Sequence, residues 1–264
     1  MFSIDLKNKT VLITGVTSGI GRGIARQMAL AGASVSGCAS SPDDAGWHDE
    51  ITGLGATALY TRCDVMVRAE LEELVARTVA HFGGIDILVS NAGGNVFTGA
   101  AESRQADWDR NMQLNLASHW HLSALSKPYL EKQGGVIIIM TSNHSYSSIP
   151  GCFPYNVAKT ALTGLVRSLA IEWGPAIRTV GIAPGFIDTP GNQEWFDSFT
   201  NPAAERQRTI DRHPVKKLGT VDEIGGWCVF LASTYAAFAS GTTYLIDGGR
   251  SALMQDSQEP IANV

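Results

Sequence analysis

Tyr155 and Lys159 stand four residues apart, so on a helix they share one face. A free tyrosine titrates near pH ~10, too high for a base at neutral pH. An ammonium close by favours the phenolate, so the pair is expected to carry a depressed phenol pKa. Such a pair suits a reaction that moves a proton on or off an alcohol or carbonyl oxygen. The accompanying hydride goes to a cofactor, and the protein supplies the base. Ser142, thirteen residues before Tyr155, is a neutral donor and acceptor suited to polarising the same oxygen.

A glycine turn offers that cofactor a place. Val11-Leu12-Ile13 runs into Thr14-Gly15-Val16-Thr17-Ser18-Gly19-Ile20-Gly21 and then into a helical pattern. Glycines permit a tight turn and close approach of backbone to a pyrophosphate. The helix that follows offers free N–H groups and the positive end of its dipole. The spacing is G-x-x-x-G-x-G rather than G-x-G-x-x-G, so by itself the segment also fits a plain strand–helix turn. Its place on the first strand of an alternating chain favours the dinucleotide reading.

The elements that must position these groups alternate. Apolar strands are expected at 11–13, 33–38, 57–62, 85–89, 136–140, 178–183 and 243–246, with helices at 19–31, 67–82, 105–132, 154–173 and 220–232. The run Ile85–Val89 is continuously apolar, as a parallel strand covered on both sides requires. The pattern predicts one α/β domain over 1–250, a Rossmann-type doubly wound parallel sheet of about seven strands with helices on both faces. Residues 186–215 have weak periodicity, and 251–264 form a polar tail.

Composition excludes other classes. A net charge of -5, with scattered basic residues, argues against nucleic acid as the main partner. Cys38, Cys63, Cys152 and Cys228 show no metal-ligand spacing, and the histidines form no H-E-x-x-H pattern, so no catalytic metal is expected. No run reaches the ~20 apolar residues of a membrane helix, and residues 1–9 lack a signal-peptide core. The expected location is the cytoplasm.

Taken in order, these segments resemble the short-chain dehydrogenase/reductase family over roughly residues 5–250. Thr14-Gly15-x3-Gly19-Ile20-Gly21, with Ser18 inside it, is similar to the family's cofactor turn. Asp64-Val65 resembles the acidic pair placed near the adenine ring, and Asn91-Ala92-Gly93-Gly94 the N-A-G motif after the fourth strand. Asn115 sits in W-D-R-x4-N, Tyr155 and Lys159 form Y-x-x-x-K, and Pro184-Gly185-x-Ile187-x-Thr189 is similar to the segment that touches the nicotinamide carboxamide. The resemblance implies an NAD(P)-dependent oxidoreductase with Asn115, Ser142, Tyr155 and Lys159 catalytic. It implies that Lys159 also bonds the nicotinamide ribose and that Asn115 holds a water on a proton path. Two positions depart from the pattern. Ser90 replaces the first Asn of N-N-A-G, and Gly181 replaces an Asn, which is expected to loosen the sixth strand.

The signals for cofactor choice conflict. The ribose position at the end of the second strand is Ala39, with no carboxylate to favour NAD, and Asp43 and Asp44 come later. Ser18 stands where many members carry a base, and Arg22 lies one turn further on. Ser40 and Ser41 suit either a 2′-phosphate or a 2′-hydroxyl. NADP, or dual use with NAD, is expected.

Gly94, Asn95, Ser142, Asn143, His144, Phe153, Tyr155, Phe186, Trp195 and Phe196 are expected around the substrate, the last three from a segment resembling the family's lid. Hydrogen-bonding groups with aromatic faces suit a sugar or polyol, as in an aldose 1-dehydrogenase. A 3-oxoacyl thioester reductase is the alternative. A regulatory protein that binds cofactor without turnover is the alternative of another class. The family resemblance also implies a homo-oligomer, a tetramer, through the 105–132 and 154–173 helices.

Overall fold

The computed structural model describes residues 3–41 and 45–253. Seven strands, β1 (Thr10–Thr14), β2 (Ser34–Ala39), β3 (Ala58–Arg62), β4 (Ile87–Ser90), β5 (Val136–Met140), β6 (Arg178–Pro184) and β7 (Thr243–Ile246), form one sheet. Its order is β3-β2-β1-β4-β5-β6-β7 and every pairing is parallel. Parallel neighbours need a crossover between them, and the crossovers here cover both faces with helices.

β5 shows why the strands read as unbroken apolar runs. Val136, Ile138 and Met140 join one core, while Ile137 and Ile139 join the other. The first core is closed by α1 (Gly19–Leu30), α2 (Ala45–Gly53) and α9 (Val221–Ala232). The second is closed by α3 (Arg68–Phe82), α5 (Ser118–Gln133) and α6 (Tyr155–Trp173). The chain steps outward from β1 to β3, then returns to the other side of β1 as β4. The crevice beyond this reversal is where open α/β sheets bind ligands.

Three elements differ from the sequence expectation. The 105–132 helix is α4 (Gln105–Met112), a π-helical segment Gln113–Ala117, and α5. Helix α2 was not expected; its Trp47 is fully buried over Gly37, where an added Cβ would lie 2.7 Å from the indole. The 186–215 stretch carries two short helices, α7 (Pro190–Asp197) and α8 (Pro202–Asp211), each opened by a proline and capped by Thr189 or Asn201. Helices of 8 and 10 residues give periodicity little room to show.

Gly181 does not loosen β6. It pairs in register with Ile139 and Thr243, and a Cβ there would meet Thr243 Oγ1 at 2.5 Å. No helix among the described residues is long and apolar enough to cross a membrane. Asp43, Asp44 and the tail from residue 254 lie outside the described residues.

Candidate active site

The residues singled out by sequence gather at the C-terminal ends of the strands. Gly15 N and Val16 N both donate to Cys38 O, at 2.7 and 3.1 Å, tying the turn after β1 to β2. Gly15 takes a φ of +76°, and a Cβ on Gly21 would lie 2.0 Å from Gly15 O. The turn and the first turn of α1 therefore touch backbone to backbone. Ser18 occupies the N-cap without a side-chain cap bond, and the first turn of α1 holds no acidic residue. Its N–H groups stay available to an anion, so this cradle fits a pyrophosphate. Thr14 Oγ1 accepts from Asn91 N at 2.9 Å and Ala92 N at 2.8 Å, and Asn91 Nδ2 donates to Thr14 O at 2.8 Å. The exits of β1 and β4 are thus stitched together at the reversal. Thr189 reaches the same place, its Cγ2 3.6 Å from where a Gly19 Cβ would stand.

Ser142 follows β5 by two residues and Tyr155 opens α6. The Ser142 hydroxyl is near enough to the Tyr155 phenol to favour its ionised form. Lys159 comes one turn later and is 3% exposed; its Nζ donates to Met140 O at 3.1 Å and lies over the Tyr155 ring, 5.6 Å from its centroid. Asn115 sits inside the π-helical segment, a kind of turn often found at functional sites. Its Nδ2 donates to Gly94 O at 2.9 Å and Asn111 Oδ1 at 3.0 Å, and its Oδ1 accepts from Gly94 N at 3.1 Å. A Cβ on Gly93 would stand 2.8 Å from Asn115 Oδ1 and 3.3 Å from Lys159 Nζ. Asn115 and Lys159 thus meet over this one bare backbone, with Tyr155 one helical turn before Lys159.

The electrostatics correct one expectation. Burial pushes the Tyr155 phenol up to about 12, against the smaller effect of the Ser142 hydroxyl. The phenol was expected to fall under the influence of Lys159. The cost of removing a phenolate from water dominates, and Lys159, over the ring face, is not among the groups that lower the phenol. Burial also brings Lys159 down to about 8.

The departure at Ser90 has a structural counterpart. Its hydroxyl bonds His119 Nδ1 at 2.7 Å, one helical turn after Asn115. Burial, with Lys159 nearby, holds His119 well below the usual histidine range. Neither residue was paired by sequence reasoning, since 29 residues separate them.

Around Tyr155, Phe97 stands edge-on at 5.2 Å and His144 at 5.9 Å. Phe97 is 45% exposed and was missed; only its bridge to Pro154 places it here. His144 Nδ1 pairs with Ser148 Oγ at 3.1 Å, Asn143 Oδ1 accepts from Ser142 Oγ at 3.4 Å, and Asn95 is exposed. Phe153 stacks on Trp108, 5.7 Å away. In the 186–215 segment Phe186 meets Trp195 at 5.6 Å and Phe196 at 5.3 Å. Trp195 is 41% exposed, whereas Phe196 is 1% exposed and packs inside the segment. Phe196 therefore has no free ring face for a substrate. Arg206 fastens the two short helices, lying 5.5 Å from the Phe196 ring and bonding Asp188 and Gln193.

The remaining expected positions rim the crevice. Asp64 Oδ1 accepts from Met66 N at 2.9 Å, and Val65 is buried. Gly185 N donates to Ile246 O at 2.9 Å. Ile187 is buried and pairs with Gly219, while Pro184 ends β6. Ser40 follows β2 directly.

A family model described as enoyl-(acyl carrier protein) reductase matches residues 15–251. Human dehydrogenase/reductase SDR family member 4 is 36% identical over 251 residues, spanning 92% of this chain and 88% of that protein. The chain belongs to the short-chain dehydrogenase/reductase family. The 2-dehydro-3-deoxy-D-gluconate 5-dehydrogenase of Pseudoalteromonas atlantica is 35% identical, over 93% of this chain and 96% of its own length. A solved 7α-hydroxysteroid dehydrogenase, complexed with NADH and 7-oxo glycochenodeoxycholic acid, superposes with a TM-score of 0.87 at 36% identity, covering 94% of this chain and 98% of that one. This chain is accordingly an NAD(P)-dependent oxidoreductase acting on CH–OH groups.

Proposed function

We propose that this enzyme interconverts an alcohol and a carbonyl with Tyr155 as the proton-transfer residue, most suitably on a sugar or polyol. The meeting of Asn115 and Lys159 over Gly93, with Lys159 above the Tyr155 ring and the Ser142 hydroxyl acting on the Tyr155 phenol, carries the reading. Gly15 to Gly21 would hold the pyrophosphate, Ser40 the adenosine ribose, and Asp64 and Val65 the adenine. Asn91 to Gly93, Tyr155, Lys159 and the 184–189 segment would surround the nicotinamide half. Bound there, the nicotinamide supplies or accepts the hydride.

Ser142 Oγ orients the substrate oxygen beside the Tyr155 hydroxyl. With its pKa near 12 the phenol is protonated at neutral pH, which supports proton donation to a carbonyl, the reductive direction. In the oxidative direction Tyr155 must become phenolate. The Lys159 ammonium and the positive charge of an oxidised nicotinamide both favour that form. Asn115 Oδ1 keeps one lone pair for a water that would link Lys159 to solvent.

The substrate reading rests on mixed lining. Asn95, Asn143 and His144 suit hydroxyls, and the exposed rings of Phe97 and Trp195 suit the C–H face of a sugar. The same two rings also support a second reading, an apolar ring alcohol of the steroid kind. Steady-state rates with aldoses, polyols, hydroxysteroids and an acetoacetyl thioester test both. Turnover of the sugars or polyols alone supports the first reading. Turnover confined to the thioester overturns both.

A further inference from the structure

The two nicotinamide cofactors differ only at the adenosine 2′ oxygen, a hydroxyl in one and a phosphate in the other. In a doubly wound sheet that oxygen is met beyond the end of the second strand. Here β2 ends at Ala39, and Ser40 and Ser41 follow; none of the three brings a carboxylate. Two side chains of β3 hold this backbone instead. Tyr60 Oη donates to Ser41 O at 2.8 Å, and Arg62 Nε donates to Ser40 O at 3.2 Å. Residues 60 and 62 share one face of the strand, so the two bonds are a consequence of its period of two.

Arg62 thus sets a guanidinium at the 2′ edge, two residues before the adenine-side Asp64. It is exposed, and among the described residues it makes no ion pair. The neighbouring cations differ in this respect. Arg22 is committed to Glu50 at 2.6 Å and to Thr17 O at 3.3 Å, and Arg26 bonds Glu50 and Asp222. A guanidinium fixed by its Nε and free at its two Nη groups presents a planar pair of donors that matches a phosphate.

We propose that Arg62, anchored on the Ser40 carbonyl, recognises a 2′-phosphate, with the Ser40 hydroxyl beside it as a second donor. The assignment rests on the dinucleotide reading of the crevice and names the residue that makes the enzyme accept NADP. It also supplies the base that the turn position, Ser18, lacks. An isolated sequence position could not reveal it, because Arg62 meets Ser40 across 22 residues of chain.

Isothermal titration of the full chain with NADP⁺ and NAD⁺ tests the assignment, using the wild type, Arg62→Gln and Arg62→Lys. The wild type is expected to bind NADP⁺ at least as well as NAD⁺. Arg62→Gln should lower the ratio of NADP⁺ to NAD⁺ affinity about tenfold to a hundredfold, the range of a charge-assisted hydrogen bond. Arg62→Lys should restore part of that ratio. Adenosine 2′,5′-bisphosphate should compete with NADP⁺ better than 5′-AMP does on the wild type, and lose this advantage on Arg62→Gln. An unchanged ratio overturns the proposal, including the case where both cofactors weaken equally because Arg62 only braces residues 40–41. A wild-type preference for NAD⁺ above a hundredfold also overturns it, while leaving the dinucleotide site intact. Binding of neither cofactor would refute the dinucleotide reading itself.

Discussion

Replacing Gly93 by alanine should disable the site with a single methyl group. Gly93 does not adopt a positive φ, so alanine brings no backbone strain and acts only through its Cβ. That carbon would stand 2.8 Å from Asn115 Oδ1 and 3.3 Å from Lys159 Nζ. The first approach is about half an ångström inside ordinary contact. Asn115 has little room to retreat, because its amide is buried and bonded to Gly94 N, Gly94 O and Asn111. Lys159 is held on Met140 O. Overpacking of this kind costs about 1–3 kcal/mol of stability. A displacement approaching ~1 Å at the reacting groups costs on the order of a hundredfold in turnover. Urea denaturation reads the first effect and kcat/KM the second. Asn115→Ala removes the clashing oxygen, so the double variant should be more stable than the two separate losses add up to. Wild-type stability and turnover in Gly93→Ala would refute the convergence on which the site is built.

Three other substitutions probe the same structure. Tyr155→Phe keeps the ring packed against Phe97 and should leave the melting temperature almost unchanged, while turnover falls about 10²–10⁴-fold; loss of less than tenfold removes the proton-transfer role. Lys159→Met should abolish turnover yet stabilise the fold. Folded Lys159 titrates at about 8 instead of 10.5, so the wild type carries the full cost of its buried charge below pH 8 and sheds it as pH rises to 10.5. The gain in urea denaturation should therefore be up to about 3 kcal/mol at pH 7 and vanish by pH ~10.5; a gain that does not change with pH contradicts the burial account. Gly21→Ala sets a Cβ 2.0 Å from Gly15 O, backbone against backbone, and should cost about 3 kcal/mol and at least tenfold in dinucleotide affinity by calorimetry. Unaltered binding would show that the turn does not cradle the pyrophosphate.

Much of this was legible in the chain itself. All seven strands were visible in the sequence, the central ones most plainly, because a parallel strand covered on both faces must be apolar on both, as β5 is. The order of glycine turn, Asn91, Ser142, Tyr155 and Lys159 was visible because each sits at a strand end or a helix start, where local chemistry dictates residue type. Other features depended on contacts between distant segments. Trp47 makes α2 part of the core by covering Gly37, and nothing near Trp47 in sequence announces that. The π-helical segment around Asn115 interrupts a pattern that otherwise reads as one long helix. Arg62 on Ser40, Ser90 on His119, and Phe97 against Tyr155 join residues 22, 29 and 58 apart. Residue type and spacing therefore determined the fold and which groups are the candidates for its chemistry. Tertiary structure alone decided how deeply those groups are buried, and burial is why the phenol rose to about 12 while helical spacing had suggested that it would fall.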